Sequence, residues 1–170
     1  MDTAAEVAVR RTARLVLRRP QSDDVEWVAS LHADPRNYTH APDAAHSPHE
    51  ARSLAQGQLR IWDRDGISYW IVEHAGKPIG MAGITYAAFF GRACWNLYYR
   101  LEPAARGRGF AAEATREALV VAALIDPARP VIVRTRPSNE SAQRLAEAIG
   151  LQRRRDLDGE GFVVYVSDTW

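Results

Sequence analysis

"RLEPAARGRGFAAEA" (residues 100–114) places Arg106, Gly107, Arg108 and Gly109 between Pro103 and a run with helical spacing. Two anion-cradling patterns overlap in it. Gly107, Gly109 and Ala112 fit G-x-G-x-x-A, the dinucleotide fingerprint. Arg106, Gly109 and Ala111 fit a second pattern, R-x-x-G-x-A. Both would work by the same physics: backbone N–H groups at a helix N-terminus converge on an anion, and the helix dipole adds partial positive charge. Glycine removes the Cβ that would block that approach. A third reading treats the glycines as a purely structural loop.

The surrounding elements separate the readings. Upstream, residues 67–103 read as antiparallel strands with turns at Ala75-Gly76-Lys77-Pro78 and near Gly91. Downstream, Ala111, Ala114, Ala118, Ala122 and Ile125 repeat at helical spacing. "PVIVRT" is then a short strand ending in Arg134-Thr135-Arg136. A dinucleotide fingerprint opens a βαβ unit and needs an acid at the end of the next strand. Hairpins and arginines stand in those places, which argues against it.

Working outward, "RLVLRR" (residues 14–19) alternates as a strand and stops at Pro20. Ser22-Asp23-Asp24 offers a helix cap. Ser47, Pro48 and Glu50 offer a capping box for a second helix, which "DRDG" ends. Ser138 or Asn139 can cap a helix closed by Gly150, and "GFVVYVS" is a last strand. The order β-α-α-β-β-β-α-β-α-β, with a possible further strand in residues 151–157, predicts a single α/β (α+β) domain. Its sheet is mixed, mostly antiparallel and flanked by helices. Residues 1–13 are expected to be a flexible lead-in and residues 14–170 the domain.

"YYRLEPAARGRGFAAEA" together with "NESAQRLAEAIGLQ" resembles the GNAT-type N-acetyltransferases, over essentially residues 14–167. The likeness is greatest to the branch of ribosomal-protein N-terminal (alanine/serine) acetyltransferases. It implies the GNAT fold, acetyl coenzyme A as cosubstrate and a primary amine as acceptor, on a peptide N-terminus or a small molecule. By this resemblance, residues 107–111 (Gly107, Arg108, Gly109, Phe110 and Ala111) hold the pyrophosphate, with Arg106 opening the loop. Backbone at Tyr99, Arg100 and Leu101 pairs with the pantetheine arm where this strand splays from residues 131–135. An N–H there faces the thioester oxygen. Asn139 contacts the arm as well as capping its helix, and Arg144 approaches the phosphate end.

The departures from the family pattern concern catalysis. Asn96 stands where relatives often carry glutamate, Ala142 where they carry serine, and Ala146 where many place a tyrosine acid. Ser141 is an imperfect substitute, about 100° round the helix from Ala142. The remaining catalytic candidates are Asn96, Tyr98 and Ser141, with Tyr99 and Glu102 as further polar groups nearby. Deprotonating an alkyl ammonium at pH 7 without a base costs roughly 4–5 kcal/mol, but an α-amine only about 1 kcal/mol. The missing base therefore favours an α-amine or another weakly basic acceptor, attacked directly in a ternary complex. A non-catalytic acyl-CoA-binding or sensing domain is the alternative. Tyr38, His40, His46, Trp62, Tyr86 and Trp95 are among the candidates to line the acceptor site.

Composition narrows the classes. The chain has 170 residues, 46% hydrophobic and 25% charged, with a formal charge of +1. That balance speaks against nucleic acid or a membrane surface as partner. One cysteine, Cys94, forms no internal disulfide, which favours a reducing compartment. No apolar run reaches the roughly 20 residues of a membrane span, and no signal-like block opens the chain. The cytoplasm is the expected location, as monomer or homodimer. His46 and His49 have no third ligand beside them, so no metal site is expected.

Overall fold

The structure, a computed structural model, describes residues 3–159 and 161–170. Helix α1 (Thr3–Ala8) leads into β1 (Val9–Arg11) and β2 (Leu15–Arg18), followed by helices α2 (Val25–Ala33) and α3 (Pro48–Asp65). Strands β3 (Tyr69–His74), β4 (Lys77–Phe89) and β5 (Arg92–Leu101) come next, then α4 (Phe110–Ile125) and β6 (Val131–Thr135). Helix α5 (Glu140–Ala148) and strands β7 (Gln152–Arg153) and β8 (Val163–Val166) complete the order. The described strands form one sheet, in the order β1-β2-β3-β4-β5-β6-β8-β7.

Local chemistry sets most of the boundaries. The Ser47 hydroxyl accepts the Glu50 N–H while the Glu50 carboxylate accepts the Ser47 N–H, and Gly66 at φ 69° ends α3. Both hairpins turn through two residues of positive φ, Ala75-Gly76 and Phe90-Gly91. Helix α2 starts later than the Ser22 cap suggested. Ser22–Asp24 is a 3₁₀ turn instead, because the Asp24 carboxylate is held by the Arg18 guanidinium at 2.7 and 2.8 Å.

The larger difference lies at the N-terminus. The lead-in expected to be flexible carries α1 and β1 within its described part, and β1 pairs antiparallel with β2. Val7 is buried, and its carbonyl accepts the Trp70 indole N–H at 2.8 Å. Residues 1 and 2 lie outside the described residues.

Two faces of the sheet carry different layers, following the two-residue period of a strand. On one face Leu17, Trp70, Ile84, Trp95 and Leu97 pack with Phe110, Ala114 and Ala118 of α4. On the other, Ile71 and Met81 pack with Val28 and Leu31 of α2 and Ala51 and Ala55 of α3. The second face also presents Tyr69, Thr85, Asn96, Tyr98 and Arg100, by the register of β3, β4 and β5.

The site depends on the only parallel pairing among the described strands, β5 with β6. It covers just Trp95↔Val131 and Asn96↔Ile132. Beyond it, β6 follows β8 antiparallel, while residues 97–101 continue along β4 with no strand on their other side. An open edge with unpaired backbone groups is thus built into the middle of the sheet. Gly80, opposite Leu101, allows that strand to lie close, since a Cβ there would overlap the Arg100 carbonyl and the Leu101 side chain.

Candidate active site

A cavity of about 520 Å³ fills the splay between β5 and β6. Residues 97–101 form one wall, Val133 to Thr135 the other, and Arg106, Gly107, Gly109, Phe110, Ala111 and Ala112 one end. Asn139, Ser141, Ala142 and Leu145 of α5 and its cap close a further side.

The loop at the end is shaped to receive an anion. Gly107 and Gly109 have φ of 72° and 78°, in the left-handed region that other residues avoid. Gly109 is the N-cap of α4 and has no side chain to cap it. Among the described residues, no acceptor takes the N–H groups of residues 107–112; the first bond of the helix is Glu113 N–H to the Gly109 carbonyl. Six consecutive unpaired donors at the positive end of a 16-residue helix fit a pyrophosphate.

Residues outside the motif support this loop. Arg14 Nη1 donates to the Arg108 carbonyl at 2.9 Å, its Nε to Glu113 at 2.7 Å, and its guanidinium lies 4.7 Å from the Phe110 ring centroid. Glu113 also accepts from the Thr12 hydroxyl at 2.6 Å and the Arg14 N–H at 2.8 Å. Burial pushes the Glu113 pKa up, but these bonds outweigh it and hold the carboxyl below its usual range. The same contacts neutralise an acid that would otherwise oppose an anion at the helix start. Glu113→Ala is expected to cost about 1.5–3 kcal/mol, the scale of hydrogen bonds to a charged group. The check is urea unfolding; an unchanged midpoint would show that the N-terminal strand is anchored elsewhere.

Arg106 spends its donors within the protein. Nε and Nη2 reach the Leu101 carbonyl at 3.4 and 3.3 Å, Nη1 the Arg36 carbonyl at 3.2 Å, and Nη2 also Asn37 Oδ1. It ties the loop to the segment between α2 and α3. Arg108 is exposed, stacks over Phe110 at 4.8 Å and does not line the cavity. Arg144 pairs with Glu140 at 3.1 Å and also lies off the cavity wall.

Asn139 caps α5, its Oδ1 accepting from the Ala142 N–H at 3.2 Å and the Ser141 hydroxyl at 3.0 Å. Ser141 and Ala142 both line the cavity, so the hydroxyl displaced by one residue still reaches the wall. Ala146 is buried.

The catalytic candidates on β5 lie on the α2/α3 face. The Asn96 amide donates to the Tyr69 hydroxyl at 2.9 Å, which also meets the Thr85 hydroxyl at 3.3 Å, and Asn96 does not reach the cavity. Tyr98 does reach it, stacked on Tyr69 at 4.7 Å. Its hydroxyl accepts from Arg100 Nε at 2.7 Å. Burial pushes the Tyr98 phenol up to about 12, with Arg100 pulling against it, so it stays protonated at neutral pH. Tyr99 lines the cavity from the α4 face, its pKa also raised by burial. Glu102 accepts the Trp27 indole N–H at 3.2 Å and faces away from the main cavity. Among the described residues no carboxylate lines the cavity.

Of the expected acceptor-site residues, Trp62 and Trp95 are core at 1% and 0% exposure. His40 lines the cavity and Tyr38 stacks on Arg100. Tyr86 belongs to the far end of the β4–β5 hairpin, stacked on Trp95. His32, which the sequence did not single out, is buried beside Tyr98 and His46. Cys94 is fully buried in a separate small cluster, where burial raises its pKa. No group of three metal-ligating side chains occurs among the described residues, and no described helix is long and apolar enough to cross a membrane.

An open strand edge thus runs into a glycine-lined helix start at one end of the cavity. Residues 14–152 match the model of the acetyltransferase (GNAT) domain. The chain belongs to that family and is an acetyl-CoA-dependent acetyltransferase. Among solved structures, an acetyltransferase from Agrobacterium tumefaciens str. C58 is 23% identical with a TM-score of 0.79; 93% of this chain and 92% of that one are covered. The ribosomal-protein-S5-alanine acetyltransferase from Vibrio fischeri is 15% identical with a TM-score of 0.69, covering 94% and 95%. A ribosomal L7/L12 α-N-protein acetyltransferase in complex with coenzyme A is 16% identical with a TM-score of 0.71, covering 95% and 99%. At these identities the likeness is one of fold. A comparison with curated protein sequences gives no match.

Proposed function

We propose that this protein transfers the acetyl group of acetyl coenzyme A to a primary amine, by direct attack in a ternary complex. The observation that carries the reading is the continuous path from the unpaired edge of residues 97–101 to the free N–H groups of residues 107–112. Bound there, acetyl coenzyme A supplies an activated thioester carbonyl. The loop amides hold its pyrophosphate, and backbone at Tyr99, Arg100 and Leu101 lies beside the extended arm. One N–H of that edge stabilises the oxyanion as the C–N bond forms and the C–S bond breaks. The Asn139 side-chain N–H and the Ser141 hydroxyl complete the wall.

Among the described residues no carboxylate stands by to take the amine's proton. Tyr98 is a protonated phenol, Asn96 is bound to Tyr69, and His32 is buried. The acceptor therefore loses its proton to water, which suits an α-amine or another amine of lowered pKa. Proximity and the oxyanion contact supply most of the rate. The chain acts in the cytoplasm as a monomer or homodimer.

The test combines isothermal titration of acetyl coenzyme A with thiol release over a panel of peptide and small-molecule amines. Binding with turnover of at least one amine class is expected. The absence of a cavity carboxylate among the described residues also favours a second reading, a domain that binds acyl-CoA without turning it over. Tight binding with no thiol released from any amine would establish that reading instead.

A further inference from the structure

Arg100, Arg106 and Arg134 line the cavity without an ion pair among the described residues, and of the three only Arg100 has a buried donor with no hydrogen-bond partner. Arg100 extends from β5 on the α2/α3 face, beside Tyr98 and across the strand from the α4 core. Its Nε donates to the Tyr98 hydroxyl at 2.7 Å. Its guanidinium lies 4.2 Å from the centroid of the Tyr38 ring. Tyr38 is itself fixed by its hydroxyl, which donates to the His32 carbonyl at 2.8 Å. Position and orientation of the fork are therefore set before any ligand arrives.

The Nη1–Nη2 edge is left over. Nη1 is buried and has no hydrogen-bond partner. Among the described residues Arg100 forms no ion pair, although the chain has 21 acidic residues and most of its other buried or half-buried arginines are paired. A buried guanidinium N–H without an acceptor is costly, and such a donor calls for a partner, be it water, ion or ligand. Arg106 makes the contrast: its donors are spent on Leu101, Arg36 and Asn37.

Arg106 adds a second positive charge near that corner. His32 is held neutral by burial and by the charge of Arg100, and Tyr98 is a neutral phenol. A bare ammonium acceptor would meet only repulsion there. An amine that brings its own anion would not. The open edge of a guanidinium matches the two oxygens of a carboxylate, and the planar fork held by Tyr98 and Tyr38 is pre-oriented for it.

We infer that the acceptor is an amine bearing a carboxylate, a free amino acid or a molecule of that kind, and that the Nη1–Nη2 edge of Arg100 holds the carboxylate. This rests on the transferase reading above and names its substrate class. Backbone at residue 100 serves the cofactor arm; the side chain serves the acceptor. Paired with Arg100, the carboxylate no longer favours the ammonium form of the amine beside it, which offsets the higher pKa of a free amino acid.

The test uses matched triplets: a free amino acid, its carboxamide and the corresponding decarboxylated amine. Thiol release is measured with the full-length protein, and binding of each acceptor is titrated onto the coenzyme A-saturated protein. The free acids are expected to exceed both analogues about 100-fold in kcat/KM, the scale for losing a charged bidentate partner. In Arg100→Met that preference should fall to within a few-fold, with acetyl coenzyme A affinity unchanged, and Arg100→Lys should recover part of it. Equal use of acids and carboxamides by the wild-type protein would overturn the inference and leave the transferase reading intact; that comparison needs no variant. Weakened acetyl coenzyme A binding in Arg100→Met, with an unchanged acid preference, would assign the arginine to the cofactor and also overturn it. Arg100-dependent binding of free acids without thiol release would uphold the carboxylate site and overturn the transferase reading.

Discussion

Gly109→Asp is expected to abolish measurable coenzyme A binding while leaving the protein folded. Gly109 sits at φ 78° as the N-cap of α4, amid the unpaired N–H groups of residues 107–112. A carboxylate placed there faces the pyrophosphate at close range. At about 4–5 Å and an effective dielectric near 20, each like-charge pair costs roughly 3–4 kcal/mol, or a loss of about 10²–10³-fold in affinity. The fold should tolerate the change. Aspartate is a favoured N-cap and tolerates the left-handed region better than most residues. Its Cβ would come within 3.3 Å of only Arg14 Nη2, the end of a flexible side chain. Gly109→Asn separates shape from charge and should lose much less. Isothermal titration and thermal unfolding give both readouts; affinity within threefold of wild type would remove the loop from the cofactor site.

Stability should fall by about 2–3 kcal/mol between pH 7 and pH 4.5, because His32 cannot take up a proton in the folded state. The ring is 8% exposed, its Nδ1 has no hydrogen-bond partner, and it lies against Tyr98. Burial first, then the charges of Arg100 and His46, lower its pKa from 6.5 to about 4. Below pH 6.5 the unfolded chain gains a proton that the folded chain refuses until about pH 4, so unfolding is favoured across that window. The two states bind protons alike above and below it, and the slope vanishes there. Urea titrations of wild type and His32→Leu at the two pH values isolate the effect. The variant should lose most of the pH dependence; an unchanged slope would place the titration elsewhere. Asp24 and Glu113, held low by their hydrogen bonds, begin to lose their contributions only near their ordinary values of 3.8 and 4.5, so they touch this window at its lower edge alone.

What could be read from the sequence was what lies close together along it. The loop of residues 106–111, the Ser47 capping box, both two-residue hairpins and the Asn139 cap are written in stretches of six residues or fewer. The departures at Asn96, Ala142 and Ala146 were equally visible. Long-range partners were not. Thr12 and Glu113 are 101 positions apart, and a three-residue edge strand containing Arg10 and Arg11 offers no apolar alternation to reveal it. The lead-in therefore read as flexible, although Arg14 and Thr12 fasten the loop that the motif names. The register of β4 and β5 puts Asn96, Tyr98 and Arg100 on one face, and no local pattern shows that Arg100 lacks an acid partner among the described residues. Nor does any such pattern show that Tyr69, from another strand, claims Asn96. Arg108 lies inside the loop motif and Arg144 matches the family pattern in sequence, yet neither lines the cavity. The sites of side chains on flexible stems follow from packing, which no local pattern encodes.

The central claim is that the cofactor lies along the open edge of β5 and ends on the N-terminus of α4. Backbone amide shifts in ¹⁵N-labelled protein, followed as coenzyme A is added, test it most directly. Residues 107–112 and 99–101 should show the largest perturbations, with residues 86–92 at the far hairpin unmoved. Saturable binding that leaves the amides of residues 107–112 in place would contradict the account.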